Sequence, residues 1–230
     1  MPTPTAKDLL RATELFRGLG DGALAALGEG ASRRSLSRGE IVFREGDEGE
    51  ALYIVIDGSV KVSVSSQQGE DLVLTTLGPG DAFGELPLID EGPRSASAVA
   101  LSPTILLALD RRTLLDAAQR DPQLLDGLLR SLGRLVRRLT EQAADLVFLD
   151  LHTRVAKLLL RMAEKEAATE DGVVILDKTL TQTDLAEMVG GSRQSVNQAL
   201  HALEHRGFIE VRGREIRVVK MQELAQRAGT

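Results

Sequence analysis

Three observations predict an α+β fold. A glycine-punctuated series of short β-rich runs fills roughly residues 33–110, a long leucine-rich helix follows, and compact helical sequence closes the chain. The change of texture near residue 150 favours more than one domain within 230 residues, a length that allows a sizeable core. The expected segments are 1–121, 122–149 and 150–230.

Residues 1–30 read as a helical preface. Leu9, Leu10, Leu15, Phe16, Leu19, Leu24 and Leu27 form short apolar stripes, interrupted at Gly18 and at Gly20–Asp21–Gly22. The β region then presents Ile41–Phe43, Leu52–Ile56, Val60–Val64, Leu72–Leu77, Ala96–Leu101 and Thr104–Leu109, separated by glycine and proline turns. Short strands at such regular spacing predict a small rolled or closed antiparallel barrel. Asp57–Gly58, between two of these runs, is a hairpin signal.

The long helix is read from Pro122 to Leu149, with Asp121 as N-cap and Pro122 in the first turn. Leu125, Leu128, Leu132, Leu135, Leu139, Leu146 and Leu149 recur at alternating steps of three and four, broken only at Gln142. That seam predicts a parallel homodimer helix, and a second set, Leu129, Val136, Ala143 and Val147, is expected to face the body of the protein. Packing of the helix on its own domain is the plainer alternative.

Composition limits the chemistry. With no cysteine there are no disulfides, iron–sulfur clusters or thiolate metal sites, and three histidines give haem or zinc little to work with. His201 and His205 stand at i, i+4 without a third ligand nearby, so no metal site is expected. No apolar run of about 18 residues occurs, and a soluble, cytoplasmic protein is expected. The net charge of −6 argues against a generally basic nucleic-acid coat. The acidic excess lies before residue 150; residues 151–230 are near balance, so any DNA contact there must be a local patch.

One stretch of the β region offers more than turns: Phe83-Gly84-Glu85-Leu86-Pro87-Leu88-Ile89-Asp90-Glu91-Gly92-Pro93-Arg94-Ser95-Ala96. It combines an acid, an arginine suited to bidentate phosphate binding, a hydroxyl and small residues that let backbone N–H groups approach a ligand. From chemistry alone, an Arg94–Glu85 ion pair and an anion site stand level. The segment resembles the phosphate-binding cassette of cyclic-nucleotide-binding domains, as in bacterial cyclic-AMP receptor proteins. The resemblance implies that Arg94 and Ser95 hold the cyclic phosphate, that Glu85 takes the ribose 2′-hydroxyl, and that Gly84 and Ala96 give backbone donors beside Leu86. It also puts adenine contacts on the long helix at Leu139 and Thr140, where Leu139 departs from the family's hydroxyl and leaves base selectivity open.

In the C-terminal region Thr181 caps a helix with Asp184 three residues on, Gly190–Gly191 turns the chain, and Ser192 caps a second helix that runs to about His205. Small Ala186 and apolar Val196 suit two helices crossing steeply. Phe208–Val211 and Glu215–Val218 flank Arg212-Gly213-Arg214 as a β wing. The arrangement resembles the helix-turn-helix of the same receptor superfamily, the Crp/Fnr regulators. A second helix in the major groove would offer Ser192, Arg193, Gln194, Ser195, Asn197 and Gln198 to bases and phosphates, with Arg212 and Arg214 toward phosphates. Gln194 and Gln198 depart from the receptors' acidic and basic residues, so a different operator is expected.

The resemblance therefore implies an N-terminal antiparallel β-roll of the cyclic-nucleotide-binding kind, a dimerisation helix and a C-terminal winged helix-turn-helix. The implied function is a homodimeric transcription regulator, not an enzyme, acting on a palindromic operator with RNA polymerase as partner. Cyclic AMP is the expected effector and no covalent cofactor is expected. A regulator responding to cyclic di-GMP or to no ligand, and a cyclic-nucleotide-binding module whose helices bind a protein, remain the alternatives.

Overall fold

A computed structural model describes residues 5–164, 166–169, 172–176 and 180–229. The chain forms two compact units, Met1–Val64 with Leu74–Arg138, and Ser65–Val73 with Leu139–Thr230.

In the first unit, helix α1 (Ala6–Ala12) opens on a reciprocal capping box between Thr5 and Asp8, and α2 (Asp21–Glu29) follows a short turn of 3₁₀ helix. Eight strands then build two four-stranded sheets. The first has the order β1-β8-β3-β6 (Ala31–Leu36, Thr104–Asp110, Ala51–Asp57, Ala82–Phe83). The second has the order β2-β7-β4-β5 (Ile41–Phe43, Ser97–Ala100, Val60–Ser65, Asp71–Leu77). The β1–β8, β8–β3, β3–β6, β2–β7 and β7–β4 pairings are antiparallel, so the expected roll forms.

Alternation places Leu52, Ile54, Leu107 and Leu109 on one face of the first sheet, where α1, the 3₁₀ turn, α2, α4 (Arg111–Arg120) and the start of α5 (Gln123–Phe148) cover them with Leu10, Phe16, Leu24, Leu27, Leu114 and Leu124. Val55, Phe83 and Leu106 point the other way, toward Val60, Leu77, Ala98 and Ala100 of the second sheet. Each such leucine or isoleucine, fully withdrawn from water, stabilises the fold by about 1.5–3 kcal/mol.

Asp57–Gly58 is a turn but not a hairpin. β3 pairs with β8 and β6, β4 pairs with β7, and the turn carries the chain from one sheet to the other. A register shift between Val55 and Asp57 bends the strand end, and at Gly58 (φ 84°) a Cβ would lie 2.3 Å from the Pro103 carbonyl.

Helix α5 spans Gln123–Phe148, with the Asp121 carboxylate accepting from the Gln123 amide. Its apolar stripes are not divided as the sequence suggested. Leu128 is buried and Leu135 and Leu149 are half-buried, whereas Leu129 (66% exposed), Val136 (61%) and Val147 (74%) face solvent. Leu125, Leu129, Val136, Leu139, Ala143 and Leu146 thus form the open stripe, with half-buried Leu132 in the same row. Two leucine-rich rows one residue apart fit the same periodicity, and α1 and the first sheet select Leu124 and Leu128 for burial.

In the second unit, α6 (Leu151–Ala163) starts at Asp150, whose carboxylate accepts from the Thr153 amide at 2.7 Å. Arg227 of α9 (Met221–Ala228) donates to the same carboxylate at 3.3 Å and to the Thr153 hydroxyl. Lys157 and Arg161 of α6 face Asp145 of α5, so charge pairs as well as the cap hold this bend. Helices α7 (Gln182–Val189) and α8 (Arg193–His205) follow. Strands β10 (Ile209–Arg212) and β11 (Glu215–Val218) form the wing, and β9 (Val174–Ile175) adds a third strand to β11. Val155, Leu159, Leu185, Ala186, Val196, Leu200, Leu203, Ile209, Val218 and Leu224 share one core.

Candidate functional site

The first cluster is built where β6 ends. Gly84 sits at φ 79°, α3 (Leu86–Asp90) makes little more than one turn, and Glu91 reverses the chain at φ 59°. The chain then returns so that the Arg94 amide donates to the Asp47 carbonyl and the Arg94 carbonyl accepts from the Gly46 amide. This brings Arg94, ten residues after Gly84, back beside it.

Arg94 is 3% exposed. Its Nη1 donates to the Gly84 carbonyl at 2.7 Å and its Nη2 to the Ala51 carbonyl at 2.8 Å. The guanidinium lies 4.1 Å from the Phe43 ring centroid and 5.6 Å from that of Tyr53, and buried Nε has no hydrogen-bond partner. A guanidinium has five N–H groups, so donors remain for an anion. Glycine is required on both sides of it. A Cβ at Gly84 would lie 2.6 Å from Nη1, and one at Gly49 would lie 2.4 Å from Pro87 and 3.1 Å from Nε.

Glu85 is 9% exposed. Burial pushes its carboxyl above the ordinary carboxylate value; a hydrogen bond from its own amide and the charge of Arg94 act in the opposite sense. Burial lowers Arg94 from the usual guanidinium value, opposed by Tyr53, Asp47 and Glu85. The hydrogen bonds of Arg94 go to main-chain carbonyls and not to Glu85, so the two charges share the pocket without forming the ion pair left open by the sequence.

Of the remaining predicted residues here, Ala96 is buried, Leu86 is half-buried in the first turn of α3, and Ser95 is exposed. Leu139 and Thr140 lie exposed on α5, Leu139 within the open stripe. The sequence reading missed Phe43, Tyr53 and Gly49. The one available signal was scarcity, since the chain has five Phe, one Tyr and no Trp.

The second cluster is the outer side of α7, α8 and the wing. A Thr181–Asp184 capping box starts α7, Gly190 ends it in the left-handed region, and the Ser192 hydroxyl accepts from the Ser195 amide to start α8. Ser192, Arg193, Gln194 and Gln198 are exposed, while Ser195 and Asn197 are half-buried. Ser195 is bonded to Ser192 through the hydroxyls, and the Asn197 side-chain carbonyl accepts from Gln182 at 3.3 Å. Arg212 is exposed and paired with Glu210 at 2.8 Å, and Arg214 is exposed at the wing turn. Thr181, Gln182, Thr183, Arg193, Gly213 and Arg214 border a cleft of about 410 Å³ between the helix pair and the wing.

Among the described residues no group of His, Asp or Glu is arranged to hold a metal, and no helix is long and apolar enough to cross a membrane.

The family model "Cyclic nucleotide-binding domain" matches residues 33–121, and "Crp-like helix-turn-helix domain" matches residues 153–227. The chain belongs to the Crp/Fnr superfamily. This Crp/Fnr protein is 38% identical over 221 residues to the CRP-like cAMP-activated global transcriptional regulator of Mycobacterium tuberculosis, covering 96% of this chain and 99% of the relative. It is 35% identical over 202 residues to the cyclic AMP receptor protein of Thermus thermophilus, covering 88% and 90%. Among solved structures it resembles the c-di-GMP-responsive regulator CLP of Xanthomonas campestris, with a TM-score of 0.78, 26% identity, and coverage of 86% and 99%. Like these Crp/Fnr relatives it is a transcription regulator with a nucleotide-binding-type domain and a DNA-binding helix-turn-helix, and not an enzyme.

Proposed function

We propose that this regulator is a homodimer whose binding to a palindromic operator is controlled by a cyclic nucleotide, with cyclic AMP the favoured effector. The division of labour is a sensor in residues 1–121, a dimerisation helix in 122–149 and a DNA-binding domain in 150–230. Arg94 and Ser95 take the cyclic phosphate, Glu85 the ribose hydroxyl, and Gly84, Leu86 and Ala96 line the approach. Leu139 and Thr140 meet the base from α5. Arg193, Gln194, Asn197 and Gln198 read bases, and Ser192, Ser195, Arg212 and Arg214 take phosphates. RNA polymerase is the partner through which such a regulator acts.

The observation that carries this reading is Arg94: a buried cation, held by neutral carbonyls, that keeps its charge and spare donors for an anion. Cyclic AMP is favoured because the relatives alike over nearly their whole length are named for it. One observation favours a second reading: Leu139 gives no hydrogen bond to a base, and a structural relative is described as c-di-GMP responsive. Titration calorimetry of the full chain with cyclic AMP, cyclic GMP and cyclic di-GMP separates the readings. Micromolar or tighter binding of cyclic AMP, lost in Arg94→Gln, is the expected result; heat only with cyclic di-GMP selects the second.

The dimer rests on the open stripe of α5. A second copy can cover Leu129 and Val136 by knobs-into-holes packing, and in a regulator of a palindromic site a two-fold axis is the matching symmetry. Sedimentation is expected to give twice the chain mass for the parent protein and the single-chain mass for Val136→Asp.

A further inference from the structure

We propose that Phe43 is a positioning residue for nucleotide binding, acting through Arg94. The inference rests on the reading of Arg94 as the phosphate ligand and deepens it. Arg94 is withdrawn from water, and a buried guanidinium needs something in place of its hydration. A carboxylate partner would supply that but would neutralise the charge and occupy the N–H groups that an anion needs. The face of an aromatic ring stabilises the cation through its quadrupole and takes neither.

The geometry fits this division. The Phe43 ring covers the guanidinium at 4.1 Å, while the Gly84 and Ala51 carbonyls fix one Nη each. Gly49 and Gly84 leave room for no side chain beside it, so the guanidinium is boxed and ordered. Holding a long, rotamer-rich side chain in one place removes the ordering cost from the binding step.

Phe43 is itself held. Its ring lies 5.8 Å from Tyr53 and 5.9 Å from Phe83, and Tyr53 and Phe83 are directly paired residues of β3 and β6. A chain with five Phe, one Tyr and no Trp places one Phe and its Tyr over this one arginine and packs a second Phe, Phe83, against both rings.

The test is calorimetry of the full chain with cyclic AMP and cyclic GMP as probes, for the parent, Phe43→Leu and Phe43→Tyr. Melting midpoints without nucleotide report folding, and the ¹⁵N resonance of Arg94 Nε reports its order. Phe43→Leu is expected to weaken binding by about tenfold, and Phe43→Tyr to restore it to within about threefold of the parent. The Arg94 Nε resonance is expected to keep its shifted, ordered signal in the parent and in Phe43→Tyr only. Where Phe43→Leu fails to fold, Phe43→Met, unbranched and able to fill an irregular gap, takes its place. Equal binding by all variants overturns the inference, as does a loss in Phe43→Leu that Phe43→Tyr does not repair, because that marks plain packing. A parent protein that binds neither of these nucleotides nor cyclic di-GMP overturns the reading of Arg94, and this inference with it.

Discussion

Arg94 is 3% exposed and ends on two main-chain carbonyls and an aromatic ring, whereas Arg193 stands in solvent in the first turn of α8. Before any ligand arrives, the chain has stripped the first guanidinium of water, fixed its plane and left part of its donor set free. The second keeps its hydration and its rotamers. A boxed arginine suits a small anion of constant shape, because the fold has met the ordering cost in advance. An exposed one suits a long partner that brings its own charges and water, and whose bases vary from site to site. In the function proposed here, the same side chain thus serves a sensor when it is buried and a reader when it is free.

The largest expected effect tests the buried side of this contrast. Arg94→Gln removes the only cation that the sensor buries among the described residues, and is expected to cost about 2–5 kcal/mol of cyclic-nucleotide binding, read by calorimetry. A loss within twofold would mean that Arg94 is a structural tie between β3 and Gly84.

The exposed side predicts smaller and divisible effects. Arg193→Ala is expected to cost about 1–3 kcal/mol at one base position of a selected operator and little on scrambled DNA. Arg214→Ala, which removes the exposed charge of the wing turn, is expected to weaken both duplexes alike and to lower the salt slope by about one. Equal losses on both duplexes for both variants would erase the distinction between reading and positioning.

Glu85 makes nucleotide binding in the proposed sensor sensitive to acid. Its carboxyl is raised by burial, so the folded chain holds a proton that the unfolded chain has lost, and this group costs stability as pH rises from the ordinary carboxylate value through the raised one. A nucleotide hydroxyl that donates to the carboxylate needs the ionised form. Cyclic-nucleotide affinity is therefore expected to fall as pH drops through the raised value, and Glu85→Gln is expected to flatten that profile and to stabilise the unliganded fold at neutral pH. Calorimetry at about pH 5 and about pH 7.5, with melting curves alongside, reads both.

The smallest effect lies at the α5–α6 joint. Asp150 is held below the usual carboxylate value, first by the Thr153 amide, so its stabilisation is full above the ordinary value and fades as pH falls through the lowered one. Asp150→Ala is expected to cost about 1 kcal/mol in denaturant unfolding at neutral pH.

What the sequence carried well was local chemistry. The capping box at Thr181–Asp184, the turn at Gly190 and the cap at Ser192 all use side-chain and backbone preferences within a few residues, and each occurs where it was read. What it misassigned was decided by distant partners. Asp57–Gly58 turns, but the strand across from β3 is β8, about fifty residues away. Leu128 and Leu129 fit the helical repeat equally, and the sheet and α1 decide which is buried. The short strand β9 finds its place only beside β11. The cassette from Gly84 to Ala96 was legible as a motif, but its aromatic box was not. Phe43 and Tyr53 reach Arg94 from strands with no fixed sequence spacing to it.

In the proposed function, nucleotide binding at Arg94 governs DNA binding by α8. The direct measurement is fluorescence anisotropy of a palindromic duplex, selected by the protein from a randomised library, titrated with the parent chain and with Arg94→Gln, each with and without saturating cyclic AMP. Cyclic AMP is expected to tighten parent binding at least tenfold, and Arg94→Gln to bind at the nucleotide-free level in both conditions. Equal affinity in all four titrations would contradict it.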